Sequence, residues 1–238
     1  MIHAAVAQAR NTSIAALSPD RKPHAWHIRT EDRFHEIAHL EMPTVIETFC
    51  MRIFLTGVSC VGKTTIGARL AGLLEYRFFD LDLETERFFE TSIERLRNRY
   101  LTSHEFRLAA SRALKQVLAR EDSSDSVIAL PPGGLLGGYW KVVNATPNAT
   151  VVVLRDRPEN ILNRITFYDI DSRPLHKVLT DQERELYLRE IERDIAYFNR
   201  SYRRAQVSVD IAGRDPDEAS RKVRDSLTPA PLRDRRQA

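Results

Sequence analysis

At 238 residues the chain has room for one α/β domain with an extension, or two small domains, and a single domain is the better reading. Its 36 Lys and Arg against 33 Asp and Glu leave a formal charge of only +3, with the two signs interspersed, so nothing calls for nucleic acid. No apolar run approaches the roughly 20 residues that span a bilayer, and the first residues lack the apolar core of a secretory signal, so a cytoplasmic protein with no membrane partner is expected.

Residues 1–50 carry five of the seven histidines, show no strand pattern, and are punctuated by proline between Ser18 and Trp26. They read as an N-terminal extension outside the fold, either a flexible arm or the product of an upstream start codon. Within it, His35-Glu36-Ile37-Ala38-His39 matches the zinc pattern His-Glu-x-x-His. A metallopeptidase needs a third ligand and a cleft built by a larger domain, so this match is expected to be accidental.

From Met51 onward, short β-branched or aromatic runs alternate with stretches of helical period, the signature of a parallel sheet covered by helices. Strands are predicted at 52–56, 77–81, 126–130, 150–154 and 206–211. Helices are predicted at 62–74, 103–119, 158–165, 181–203 and 216–227. Asp215 caps the last helix with Pro216 in its first position, and Asp181 opens the long one, whose mixed charges read as a solvated face. Residues 51–228 thus form a five-stranded parallel sheet with helices on both faces, followed by a polar tail at 229–238. No heptad seam stands out, and a monomer is favoured.

Between the first strand and first helix lies Gly57-Val58-Ser59-Cys60-Val61-Gly62-Lys63-Thr64, a complete Gly-x-x-x-x-Gly-Lys-[Ser/Thr] loop in its proper context. Its glycines let successive N–H groups, those of Ser59, Cys60, Val61 and Gly62 included, face phosphate oxygens at a helix start that extends into Thr65. Lys63 brings a full charge to the β and γ phosphates of ATP. Thr64 offers its hydroxyl to Mg²⁺, which takes oxygen ligands. The only other cysteine is Cys50, and a disulfide to Cys60 would compete with nucleotide, so a reduced setting is expected.

Asp80 and Asp82 follow the second strand on alternate positions, and period-two geometry is expected to aim both carboxylates at the ligand-binding edge of the sheet. Further on come Glu105-Phe106-Arg107, then Pro131-Pro132-Gly133-Gly134-Leu135, then Ser172-Arg173-Pro174-Leu175. In this order, over residues 51–228, the pieces resemble shikimate kinase, a nucleoside-monophosphate-kinase-like P-loop NTPase fold with a mobile lid. The resemblance implies ATP as donor and a small carboxylated alcohol, shikimate, as acceptor. It implies that Asp82 holds the acceptor hydroxyl and takes its proton, that Asp80 serves Mg²⁺ through water, and that Arg107 grips the substrate carboxylate. Gly133 and Gly134 would let backbone approach the ring, and Arg173 would descend with the lid, Thr166 to Leu179, a connection without regular structure. Two departures stand out. Pro132 occupies the first of three positions that are glycine in the family, and Ile195 replaces a proline in the long helix between Arg193, a second carboxylate clamp by resemblance, and Tyr197. They leave open a different hydroxylated metabolite as acceptor, and a nucleotide-binding regulator with little turnover is the reading from another class.

Overall fold

The computed structural model describes residues 51–227. The extension, its His-Glu-x-x-His match and the polar tail lie outside them. Strand β1 (Arg52–Thr56) is apolar from Ile53 to Leu55 and wholly buried there, because it is the middle strand of a sheet covered on both faces. Around it stand β2 (Arg77–Asp80), β3 (Ser126–Ala129), β4 (Ala149–Arg155) and the last long strand, in the order β2, β3, β1, β4, β7, with every pairing parallel. Strand β7 spans Val207–Asp210. All five expected strands are present, each within a residue or two of the predicted bounds.

Helix α1 (Lys63–Leu74) follows β1 and packs against α8 (Pro216–Leu227), while α4 (Ser103–Leu118) packs against α5 (Gly137–Ala145). Right-handed crossovers place these two pairs on opposite faces of the sheet. The connection from β1 runs toward β2 and that from β3 runs back across β1 to β4, so a crevice opens at the carboxyl ends of β1 and β3. The phosphate loop lies there.

Three helices escaped the periodicity. Helix α2 (Leu81–Phe89) begins where Asp80 accepts from the backbone N–H groups of Asp82 and Leu83, α3 (Ile93–Arg97) is capped by Ser92, and α5 starts at a glycine pair. All are shorter than three turns, too short for a 3.6-residue repeat to declare itself. The long helix, α7 (Asp181–Tyr202), runs where expected, but its cap is Thr180, paired with Glu183 in a capping box, and Asp181 is its first helical residue. Its outer face is solvated, with Glu185 and Arg189 paired at 3.4 Å. Asp215 does cap α8, taking the N–H groups of Asp217 and Glu218 at 2.8 Å.

The connection expected to lack regular structure is instead an antiparallel hairpin, β5 (Phe167–Tyr168) with β6 (Pro174–Leu175), entered from the short α6 (Pro158–Leu162). Its tip closes locally, since the Asp169 N–H donates to the Arg173 carbonyl, the Arg173 N–H donates to the Asp169 carboxylate, and Ser172 adopts a positive φ of 60°. Strands of two residues carry no detectable alternation, so only the fold reveals them.

Close approach of α5 to α4 sets the position of Arg107. A Cβ on Gly138 would lie 2.8 Å from the backbone oxygen of Arg107 and 2.8 Å from the Cα of Leu108. Gly138→Ala is therefore expected to destabilise the fold by about 1–3 kcal/mol, as overpacking against backbone does, despite alanine's better helix propensity. Urea denaturation measures this, and an unchanged midpoint would show that the two helices are not locked at this contact.

Candidate active site

The phosphate loop departs from β1 through backbone that side chains resist. Gly57 has φ 148°, and a Cβ there would sit 2.8 Å from the carbonyl oxygen of Leu154, while Cys60 and Gly62 have φ 58° and 105°. Alternation of handedness at these positions makes the inward-facing nest of N–H groups that binds anions. Val58 and Val61 turn their side chains into the core and anchor the loop from beneath. Lys63 folds back over it, its Nζ donating to the carbonyl oxygens of Gly57 at 3.0 Å and Val58 at 2.8 Å. Burial lowers the Lys63 pKa, while Asp82, Cys60 and Asp80 work in the opposite direction.

From the next strand, Asp80 divides its carboxylate. Oδ2 accepts the Thr64 hydroxyl at 2.6 Å, and Oδ1 accepts the backbone N–H of Asp82 at 3.0 Å. This corrects the period-two expectation: the strand ends at Asp80, and Asp82 reaches the crevice from the first turn of α2. Ser59, Cys60, Lys63, Thr64, Thr65, Asp80 and Asp82 line one cavity of about 620 Å³, closed by Leu130 and Pro132 after β3 and by Arg164, Thr166 and Tyr168 from the hairpin side.

Behind Pro132, Arg107 lies against Gly133, where a Cβ would meet its Cδ at 3.3 Å. Its Nε is buried and has no partner among the described residues. An unmet buried donor costs about 1–3 kcal/mol, an expense that an incoming anion would relieve. Gly134 closes a turn onto the Pro131 carbonyl at 2.8 Å, and the Pro132 carbonyl accepts from the Tyr202 hydroxyl at 3.2 Å. Proline at 132 is thus absorbed by a turn that does not ask for its N–H.

The shikimate kinase family model matches residues 59–228. The chain belongs to the shikimate kinase family. It is 30% identical to shikimate kinase from Thermus thermophilus over 191 residues, covering 80% of this chain and 95% of the relative. To shikimate kinase from Caldanaerobacter subterraneus it is 27% identical over 171 residues, covering 72% and 92%. The crystal structure of shikimate kinase from Aquifex aeolicus superposes with a TM-score of 0.55 at 26% identity, covering 74% of this chain and 96% of that one.

Other residues implied by membership in the shikimate kinase family fall outside the cavity in this conformation. Arg173 is exposed at the hairpin tip, held by its backbone to the Asp169 carboxylate at 2.9 Å. Arg193 is exposed on α7 and pairs with Glu190 one turn away. Ile195 packs against the core within an unbroken helix. Two arginines that pattern reading missed are better placed. Arg164 lines the cavity, its guanidinium bound to Asp156 and to the Cys60 carbonyl oxygen at 3.3 Å. Arg97 lies over the Phe106 ring, 5.4 Å from its centroid, close enough for its charge to act on Asp82. Neither belongs to a motif, so no signal in the sequence marked them.

Asp82 opens onto the cavity yet is crowded by its walls. This desolvation and the neighbouring Asp80 charge push its pKa up to about 6, against the pull of Lys63 and Arg97. In the ligand-free protein the Asp82 carboxyl carbon is expected to titrate near pH 6 by NMR. Asp80→Asn, which keeps a capping oxygen but removes the charge, should move that midpoint downward, and an unchanged midpoint would show that Asp80 is not a cause of the shift.

Proposed function

We propose that this member of the shikimate kinase family transfers the γ-phosphoryl group of ATP to the 3-hydroxyl of shikimate. The observation that carries the reading is the convergence on one cavity of a phosphate nest with its lysine, a hydroxyl-carboxylate pair, and Asp82, with the Arg107 Nε, unpartnered among the described residues, behind its Pro132 wall. ATP phosphates lie in the loop, and Lys63 exchanges its two carbonyl partners for phosphate oxygens. Thr64 and Asp80 are oxygen-only donors held 2.6 Å apart, a set suited to a hard divalent cation, and they would hold Mg²⁺. When bound, that ion neutralises charge on the β and γ phosphates.

On the acceptor side, Arg107 binds the carboxylate and Asp82 accepts the proton of the attacking hydroxyl. A pKa near 6 suits this work, since the base is unprotonated at neutral pH yet retains proton affinity. Arg164 already supplies positive charge beside the loop, whereas Arg173 must travel with the hairpin to reach the transferring group, the closure that excludes water in such enzymes. Residues 51–228 are proposed to hold the whole activity, so a chain begun at Met51 should turn over ATP and shikimate, and its loss of activity would assign the extension a part in the site.

Steady-state kinetics with shikimate test the roles. Lys63→Ala should abolish turnover, Asp82→Asn should lower kcat by roughly 10² or more, and Arg107→Ala should mainly raise KM for shikimate. Because the Asp82 base works unprotonated, kcat/KM should be flat above and fall below about pH 6. Tight ATP binding with no turnover of any hydroxylated acid would point to a regulator, and stimulation by other acceptors alone would change the substrate.

A further inference from the structure

A carboxylate held by one guanidinium is free to rotate about it, and aligning a single ring hydroxyl with Asp82 calls for a second contact. The resemblance would assign that contact to Arg193, but its guanidinium pairs with Glu190 on the solvated face of α7, with the arginine side chain 71% exposed. The structure brings up a different arginine. Arg97 ends α3, and its guanidinium lies over the Phe106 ring at 5.4 Å, on the residue immediately before Arg107. Phe106 is 7% exposed, so its ring is a fixed floor for the arginine stem.

Arg97, Arg107 and Asp82 all lie close enough for their charges to act on the buried hydroxyl of Tyr139. The partner Arg97 now has is weak: Glu94, one turn back, at 3.4 Å with both side chains about half exposed. A surface pair of this kind contributes at most about 1 kcal/mol, so exchanging it for a substrate carboxylate costs little. Arg107 meanwhile keeps a buried Nε without a partner among the described residues.

We propose that Arg97 is the second arm of the acceptor clamp, and that Arg97 and Arg107 together select an acceptor bearing a carboxylate and turn its hydroxyl toward Asp82. The assignment rests on the proposed acceptor chemistry and adds a residue that the family resemblance does not supply. It also gives α3 a purpose: a five-residue helix, capped by Ser92 and joined to α2 through the Glu86 carboxylate, holds a guanidinium above the acceptor.

Arg97→Met keeps an apolar stem over Phe106 and removes only the charge. With shikimate, KM is expected to rise about tenfold or more, as loss of a charge-assisted contact implies, with KM for ATP and thermal stability unchanged, and Arg97→Lys should recover part of the loss. With the methyl ester of shikimate, which lacks the anion, wild type and Arg97→Met should show the same KM. A wild-type KM for shikimate in Arg97→Met, or an equal penalty with the ester, overturns the assignment, as does a KM effect confined to Arg193→Met. Absence of any shikimate-dependent ADP formation by wild-type protein would bring down the acceptor reading itself, and this clamp with it.

Discussion

The carboxylate of Asp80 joins the two halves of this site, because its two oxygens serve different elements. One oxygen takes the Thr64 hydroxyl and so is fixed to the first turn of the helix that ends the phosphate loop. The other takes the N–H groups that start α2 and so fixes where Asp82 lies. Donor and acceptor chemistry are therefore registered to each other through one side chain at the end of one strand. The arrangement has an electrostatic consequence. Burial and an anion tied down beside it raise the proton affinity of Asp82, so two acids of the same kind come to differ, one spent on a helix cap and a hydroxyl, the other held with a raised proton affinity.

The hairpin provides the third wall, and it is tethered away from the loop. Ser92 donates to the Ile170 carbonyl at 2.5 Å, Arg95 pairs with Asp171 at 2.7 Å, and Ser172 donates to Glu86 at 2.5 Å. Glu86 also accepts the N–H of Ile93 at the start of α3. Helices α2 and α3 and the hairpin are thus one hydrogen-bonded assembly. The Ser92 and Arg95 contacts are exposed and of modest strength, while those of Glu86 are partly buried.

Positive charge is distributed around the cavity so that each cation has a local restraint. Lys63 is held by carbonyl oxygens of its own loop, and Arg164 by Asp156 and the Cys60 carbonyl. Arg97 is held by the Phe106 face. Only Arg107 carries a buried nitrogen without a protein partner among the described residues. Its position is imposed by packing, with Gly138 pressed against its main chain and Gly133 against its side chain.

The phosphate loop was legible in the sequence because its function is local: the Gly57 and Gly62 backbone, Lys63 and Thr64 act within one turn of chain, and spacing suffices to identify them. The five parallel strands were legible because burial on both faces demands continuous apolar runs, as at Ile53 to Leu55. Tertiary structure alone decided what depends on distant partners. Asp82 is a helix residue because Asp80 caps the chain at that point, and alternation along a strand cannot foresee its end. Arg164 reaches the cavity from the turn after α6, and Arg97 comes within range of Asp82 from the end of α3, while Arg193, at the expected spacing, lies on a face that the uninterrupted helix through Ile195 turns to solvent. A side chain's neighbours along the chain are fixed by covalent geometry, but its neighbours across the site are set by packing, and that information is spread over the whole fold.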